Sequence, residues 1–239
     1  MIARALHIAS ALVALSALAL GAPQAAAQGA TAARQAAAPA PAANPLAKWQ
    51  AGRHYRVLSP AVPTSVAPGK VEVVEVFWYG CGHCYTLDPF LERWKKTKPA
   101  AAEFVRVPVT WHDSAKRHAK LYFTLQALKQ DGRLHTKAFD TIHRGGNPLV
   151  GRDDASSLAA QRDWAKANGV DATAFTNTWN SMSVDVKVRQ ADDIVRRYRV
   201  EGTPAMIVNG KYFTDVGMAG GVEQMLALMN DMIAAETRR

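Results

Sequence analysis

The chain has 239 residues, 49% of which are hydrophobic, a formal net charge of +9 and two cysteines. This length fits one domain of ordinary size, with room for an insertion. The basic residues are scattered, so the charge indicates solubility and no nucleic-acid partner, and two cysteines exclude a disulfide-rich scaffold.

The N-terminus has the pattern of a targeting segment. One positive charge, Arg4, precedes an apolar run, and small residues follow it up to Ala27. Residues 1–27 are predicted to be a secretory signal peptide, because the run is too short and poorly flanked for a transmembrane anchor. Residues 28–44 are mainly Ala and Pro and are predicted to form a disordered leader. Export would place the mature chain in the periplasm, an oxidising compartment in which a disulfide can persist.

Three segments with strand character follow the leader. The first, HYRVLS (54–59), is bounded by prolines, and the third, EFVRVPV (103–109), has a proline near its end. The second, KVEVVEVFWY (70–79), has apolar residues at both parities. Both faces of this second strand are therefore expected to be covered, as in a sheet flanked by helices.

From His112 onwards the pattern becomes helical, with apolar residues at helical spacing and glycines that end the segments. Five helices are predicted, within 114–132, 134–148, 153–169, 171–179 and 183–200.

Strand character returns in AMIVNGKYF (205–213), where Asn209-Gly210 is a strong hairpin signal. A final amphipathic helix is predicted over 222–236. The order of elements predicts an α/β fold that is interrupted by an all-helical insertion.

Both cysteines lie in FWYGCGHCY (77–85), separated only by Gly82 and His83. A disulfide across so short a loop restrains little of the unfolded chain, so the pair is better suited to chemistry than to scaffolding. Cys81 is expected at the N-terminus of a helix, where the N–H groups and dipole favour the thiolate. Cys81 is thus the predicted nucleophile and Cys84 the resolving partner, and the His83 imidazole is expected to favour the thiolate further.

Two other chemistries fit the cysteine pair less well. Covalent haem attachment requires a histidine directly after the second cysteine, where this chain has Tyr85. A closed zinc site requires four ligands, and only distant histidines such as His112 and His118 remain to complete it. No metal and no cofactor beyond the cysteine pair is predicted.

Two motifs, EVFWYGCGHCYTLDPF (75–90) and GTPAMIVNGKYF (202–213), resemble the DsbA family of the thioredoxin superfamily, as do the signal peptide and the helical insertion. The resemblance implies a thioredoxin-like domain formed by 45–112 and 189–239, with 113–188 as the helical insertion. It also implies a thiol:disulfide oxidoreductase that donates its disulfide to reduced, newly exported polypeptides. A membrane quinone-linked oxidase of the DsbB type would reoxidise it, and the protein is expected to be a monomer.

The resemblance also assigns supporting residues. Pro204 corresponds to a cis-proline beside the disulfide, where Thr203 offers backbone groups to an extended substrate. Gly82 is expected to contact substrate as well. Glu75, in the apolar second strand, is expected to be buried beneath Cys84 and to assist its deprotonation.

Asp88 has two interpretations. It either lies below Cys84 on the same helical face, or it caps a helix that restarts at Pro89. Arg106 is expected to pair with Asp88 in the first case.

The Gly82-His83 dipeptide departs from the Pro-His often found in DsbA proteins and is typical of protein disulfide isomerase. An isomerase or reductase of the same fold is therefore one alternative. A metal- or peptide-carrier protein is a second alternative from a different class.

Overall fold

The computed structural model describes residues 44–238, so the predicted signal peptide and all but the end of the leader lie outside the described residues. The strands, in chain order, are β1 (Arg56–Val57), β2 (Val71–Phe77), β3 (Ala102–Pro108), β4 (Ala205–Val208) and β5 (Tyr212–Thr214). They form one five-stranded sheet in the order β1-β5-β4-β2-β3.

Strand β2 lies inside this sheet. It pairs in parallel with β3 and antiparallel with β4, and all seven of its residues are buried. This burial explains the nearly continuous apolar sequence of β2. Strands β4 and β5 form the predicted hairpin, and Asn209 and Gly210 in its loop have positive φ angles of 53° and 62°.

The helices, in chain order, are α1 (Gly82–Thr97), α2 (Asp113–Ala127), α3 (Asp131–His143), α4 (Asp154–Ala167), α5 (Ala172–Trp179), α6 (Met182–Arg197), α7 (Val216–Ala219) and α8 (Val222–Thr237). The five predicted insertion helices correspond to α2–α6. Helix α6 crosses the predicted boundary between residues 188 and 189. No helix within residues 44–238 is both long enough and apolar enough to span a membrane.

Two hydrophobic clusters cover the sheet. Val74 of β2 belongs to the cluster that also contains side chains of α2–α6, such as Phe139. Val73 belongs to the second cluster, which contains side chains of α1 and α8, such as Leu91 and Met229. Because consecutive strand residues point to opposite faces, this division confirms that both faces of β2 are covered.

Helix α1 runs without interruption through Pro89. The interpretation of Asp88 as the cap of a restarted helix is therefore wrong. Asp88 is instead fully buried on the α1 face that also carries Cys84.

Candidate active site

Cys81 occupies the turn between β2 and α1. It is the N-cap residue of α1, with extended backbone angles, and its Sγ accepts a hydrogen bond from the backbone N–H of Cys84 at 3.3 Å. Gly80 allows this turn, since a Cβ at that position would come within 2.4 Å of the Trp78 ring. The predicted placement of Cys81 at a helix N-terminus is confirmed.

The surroundings of Cys81 favour its thiolate. Hydrogen bonding from the Cys84 thiol lowers the Cys81 pKa by more than partial burial raises it. The Thr203 side chain and the backbone N–H groups of Cys84 and His83 lower this pKa further. Together they lower the Cys81 pKa from 9.0 to about 5. At neutral pH the thiol is therefore mostly ionised, which is the reactive form in disulfide exchange.

Cys84 has the opposite environment. Its side chain is fully buried. Burial raises its pKa far above that of an ordinary thiol, and the neighbouring Cys81 and the charge of Glu75 raise it further. Both cysteines are free thiols in the structure. The pair thus combines an accessible thiolate with a buried thiol that must lose its proton before it can react.

We expect the stability advantage of the reduced over the oxidised protein to grow as the pH rises from about 5 to 8. A group whose pKa is lowered by folding stabilises the folded state at pH values above that pKa, and this stabilisation is lost as the pH falls through it. Only the reduced form has the Cys81 thiolate, so only the reduced form gains. Each pH unit between the folded and unfolded pKa values of Cys81 adds at most about 1.4 kcal/mol, and solvent screening at this partly exposed group shortens the pH range over which the gain accumulates.

Denaturant unfolding of both forms at pH 5, 6, 7 and 8 measures this difference. The range stops below the pH at which Cys84 would ionise in the unfolded chain. A difference that stays constant from pH 5 to pH 8 would contradict the low Cys81 pKa.

The segment at Thr203 and Pro204 faces the cysteine pair. Cys81 Sγ lies 3.3 Å from the Thr203 carbonyl oxygen, to which it donates only when it is a neutral thiol, and the peptide bond between Thr203 and Pro204 is cis, as expected. Both residues line a groove of about 750 Å³ beside the active site, together with His83, Phe213 and Met218. The groove offers an extended chain both apolar surface and backbone hydrogen-bonding groups.

The side chain of His83 is exposed. Its backbone N–H is one of the groups that lower the Cys81 pKa. The imidazole lies on the wall of the groove, where it can contact a bound chain. Gly82 is also exposed, and a Cβ there would meet no other atom within 4 Å.

Arg106 is the centre of a buried charge cluster, formed by Arg106 with Glu75, Asp88 and Glu92. Its Nε donates to Glu75 Oε2 at 2.7 Å, and its Nη2 lies 3.1 Å from Asp88 Oδ1 and 2.8 Å from Glu92 Oε1. Glu75 is fully buried, as its place in the apolar strand predicts. The predicted pairing of Arg106 with Asp88 is confirmed.

The two fully buried carboxyl groups of this cluster differ in their protonation. Burial raises the pKa of Glu75 despite the attraction of Arg106. Burial also acts on Asp88, but the neighbouring His135 ring, the hydrogen bond from Thr136 and the charge of Arg106 outweigh it and leave the Asp88 pKa below its usual value. Asp88 is therefore ionised, while Glu75 is poised to bind a proton.

Some residues of the site could not be inferred from the sequence. His135 and Thr136 of α3 contact Asp88, and the Tyr79 hydroxyl contacts His135. The sequence placed His135 in a predicted helix but gave no sign that it is buried against the charge cluster. The separation of Tyr79 and His135 by 56 positions explains why no local pattern links them.

The two histidines considered for a metal site pack against a tryptophan. The rings of His112 and His118 pack on Trp78, at centroid distances of 4.8 and 6.2 Å. Within residues 44–238, no group of three or more His, Cys, Asp or Glu side chains is arranged to hold a metal ion.

The chain is similar to proteins and structures of one family. Residues 91–231 match the family described as DSBA-like thioredoxin domain. The thiol:disulfide interchange protein DsbA of Pseudomonas syringae pv. tomato is 36% identical over 197 residues, or 82% of this chain and 87% of that protein.

Two solved structures are similar along nearly their whole length. The crystal structure of Pseudomonas aeruginosa DsbA has a TM-score of 0.74 at 36% identity and covers 80% of this chain and 96% of that chain. The oxidoreductase DsbA from Xylella fastidiosa has a TM-score of 0.72 at 26% identity and covers 80% of this chain and 98% of that chain.

Proposed function

The chain belongs to the DSBA-like thioredoxin family and is a thiol:disulfide oxidoreductase, and from this we propose that it acts as a dithiol oxidase. It donates a Cys81–Cys84 disulfide to reduced, newly exported proteins. The single observation that carries this direction of exchange is the environment of Cys81, which lowers its pKa to about 5. A stabilised thiolate stabilises the reduced enzyme, and this makes the disulfide more oxidising.

The exchange proceeds in two steps in which electrons and protons balance. A substrate thiolate attacks Cys81 Sγ of the disulfide, the S–S bond breaks, and its electron pair leaves on Cys84 Sγ, which takes a proton. A second substrate thiolate then attacks the substrate sulfur of the mixed disulfide and releases Cys81 as a thiolate. The substrate has lost two electrons to the cysteine pair and now holds the disulfide.

Glu75 supplies and accepts the proton of Cys84. Its carboxyl is near enough to raise the Cys84 pKa. One oxygen, Oε2, accepts from Arg106, whereas Oε1 is buried without a hydrogen-bond partner among the described residues. Oε1 is therefore the oxygen that carries the proton. The carboxyl protonates the leaving Cys84 thiolate during substrate oxidation and deprotonates the Cys84 thiol during reoxidation.

Substrate binds in the groove beside Cys81. An extended segment pairs with the backbone of Thr203, and its apolar side chains contact the groove wall near Phe213 and Met218. Gly82 and His83 border the approach to Cys81 and contact the bound segment. This mode suits many substrates, because backbone pairing does not depend on sequence.

The proposed location, oligomeric state and reoxidation of the protein agree with this role. The protein works in the periplasm after removal of residues 1–27, is a monomer, and is reoxidised by a membrane quinone-linked oxidase of the DsbB type. Residues 45–112 and 189–239 form its thioredoxin-like domain, and residues 113–188 form the helical domain.

A direct assay tests the oxidase function. We expect the oxidised protein to introduce a disulfide into an equimolar amount of a reduced, unfolded protein that has two cysteines. An isomerase or reductase would instead leave most of that substrate reduced while the enzyme kept its disulfide. Alkylation of free thiols followed by mass spectrometry reports both products, with Cys81→Ser as the inactive control.

A further inference from the structure

A four-residue turn connects β2 to α1, and Cys81 is its last residue. The Cys81 backbone N–H closes the turn by donating to the Trp78 carbonyl oxygen at 3.0 Å. The Tyr79 carbonyl is left for a partner outside the turn, and that partner comes from α3. His143 Nε2 lies 2.8 Å from the Tyr79 carbonyl oxygen. A carbonyl oxygen can only accept a hydrogen bond, so His143 Nε2 carries a proton and donates it.

The same imidazole contacts the chain on the other side of the cysteine pair. Tyr85 directly follows Cys84, and its ring stacks on the His143 ring at a centroid distance of 4.8 Å and an interplanar angle of 8°. The Tyr85 hydroxyl donates to Asp140 Oδ1 at 2.9 Å. Asp140 and His143 are three positions apart on α3 and therefore lie on the same face of that helix. One face of α3 thus contacts both flanks of the cysteine pair.

The turn benefits from this support because Gly80 is its third residue. Glycine has more backbone freedom to lose than any other residue, so fixing this turn costs more conformational entropy. Cys81 moves with the turn, and its Sγ accepts from the Cys84 backbone N–H at 3.3 Å. A rotation of the backbone at Tyr79 or Gly80 would carry Sγ away from the N-terminus of α1. The contacts of His143 oppose this rotation.

The reduced protein depends on this support more than the oxidised protein does. In the oxidised protein, the covalent bond to Cys84 restrains Cys81 by its own geometry. In the reduced protein, where both cysteines are free thiols as here, only non-covalent contacts keep Cys81 in place. A contact that stabilises mainly the reduced form makes the disulfide more oxidising.

We propose that His143 is a positioning residue for disulfide exchange, because its hydrogen bond to Tyr79 and its stack on Tyr85 hold the turn that places Cys81 Sγ at the N-terminus of α1. His143 is not among the residues that line the groove, so it acts through the residues beside the cysteines. Helix α3 thereby helps to set the oxidising strength of a cysteine pair that lies outside it. The relevance of this strength to the reaction rests on the proposed oxidase function.

The test is the equilibrium in which the protein disulfide oxidises two glutathione thiols to glutathione disulfide. Acid quenching and chromatography measure the reduced and oxidised protein, and ultraviolet absorbance of the thiolate across pH gives the Cys81 pKa. His143→Phe keeps a ring that can stack on Tyr85 but has no N–H to donate. We expect the equilibrium constant to fall roughly threefold to tenfold, which is the net effect of one hydrogen bond. The Cys81 pKa should rise in proportion.

Three further variants separate the hydrogen bond from packing. His143→Gln has an amide N–H that can donate to the Tyr79 carbonyl and should recover much of the loss. His143→Ala removes both the donor and the ring from a partly exposed position, so it should lose at least as much as His143→Phe and replaces that variant if it fails to fold. Phe139→Leu alters a fully buried ring of the same helix, 6.0 Å from the His143 ring, and removes no polar group. It should lower the free energy of unfolding but leave the equilibrium constant and the Cys81 pKa unchanged.

An equilibrium constant that is unchanged in both His143→Phe and His143→Ala would overturn the inference. An equal loss in Phe139→Leu would also overturn it, because the packing of α3 would then account for the effect. The wild-type value tests the oxidase function separately. A weakly oxidising wild type would contradict that function, whereas the ratio between wild type and His143→Phe would still decide the role of His143.

Discussion

Replacing Cys84 by serine is expected to abolish turnover and to trap substrates on Cys81 as stable mixed disulfides. The Cys81 thiolate remains accessible in this variant and still attacks disulfides. The second cysteine that would resolve the adduct is gone. Non-reducing electrophoresis of the periplasmic fraction from cells producing Cys84→Ser should show a ladder of adducts that disappears on reduction.

Cys81→Ser is the matched control for this trapping. It leaves only Cys84, which is fully buried and whose pKa is strongly raised, so no adducts should accumulate. Equal trapping by both variants would reverse the assignment of the nucleophile. Mass spectrometry of the adducts also tests the proposed partners, because exported proteins and a membrane oxidase should be among them.

Replacing Arg106 by methionine is expected to lower the free energy of unfolding by about 3–5 kcal/mol at pH 7. Methionine has a similar length but no charge, so Asp88 and Glu75 are left buried without their cation. The penalty should shrink as the pH falls from 7 to 5, because the unpaired Asp88 carboxylate then takes up a proton in the folded state. Urea unfolding at both pH values measures this change.

Arg162→Met provides the comparison on the surface. Arg162 pairs with Asp163, but the two side chains are 40% and 66% exposed. Loss of such a pair should lower the free energy of unfolding by less than about 0.5 kcal/mol. A similarly small loss for Arg106→Met would mean that water reaches the charge cluster and that its carboxylates do not depend on the guanidinium.

The residue pattern predicted an α/β fold with redox-active cysteines, the resemblance to the DsbA family implied the thioredoxin fold, and the comparisons confirm the fold and the oxidoreductase activity. The prediction succeeded where the signals are local. The periodicity of β2, the Asn209-Gly210 turn and the position of Cys81 before a helix each depend on a few neighbouring residues. The burial of Glu75 followed in the same way, from its place within an apolar strand.

The remainder of the site depends on contacts between distant parts of the chain. His135 and Thr136 lie on one helix, Asp88 on another, and Arg106 on a strand, so their approach is determined by packing. Asp88 was ambiguous for a related reason, since a proline after it is compatible with either a break or an uninterrupted helix. The single-turn helix α7 is too short to show a periodic pattern.

The edges of the sheet have a consequence for the proposed exchange with unfolded chains. Strand β1 at one edge has only two residues, and β3 at the other edge ends at Pro108, which has no N–H to donate. Short edges and edge prolines limit the recruitment of further strands. The two-residue edge at β1 therefore offers an unfolded chain little template for strand addition. In the proposed function, the backbone pairing of a client is instead made with the short segment at Thr203.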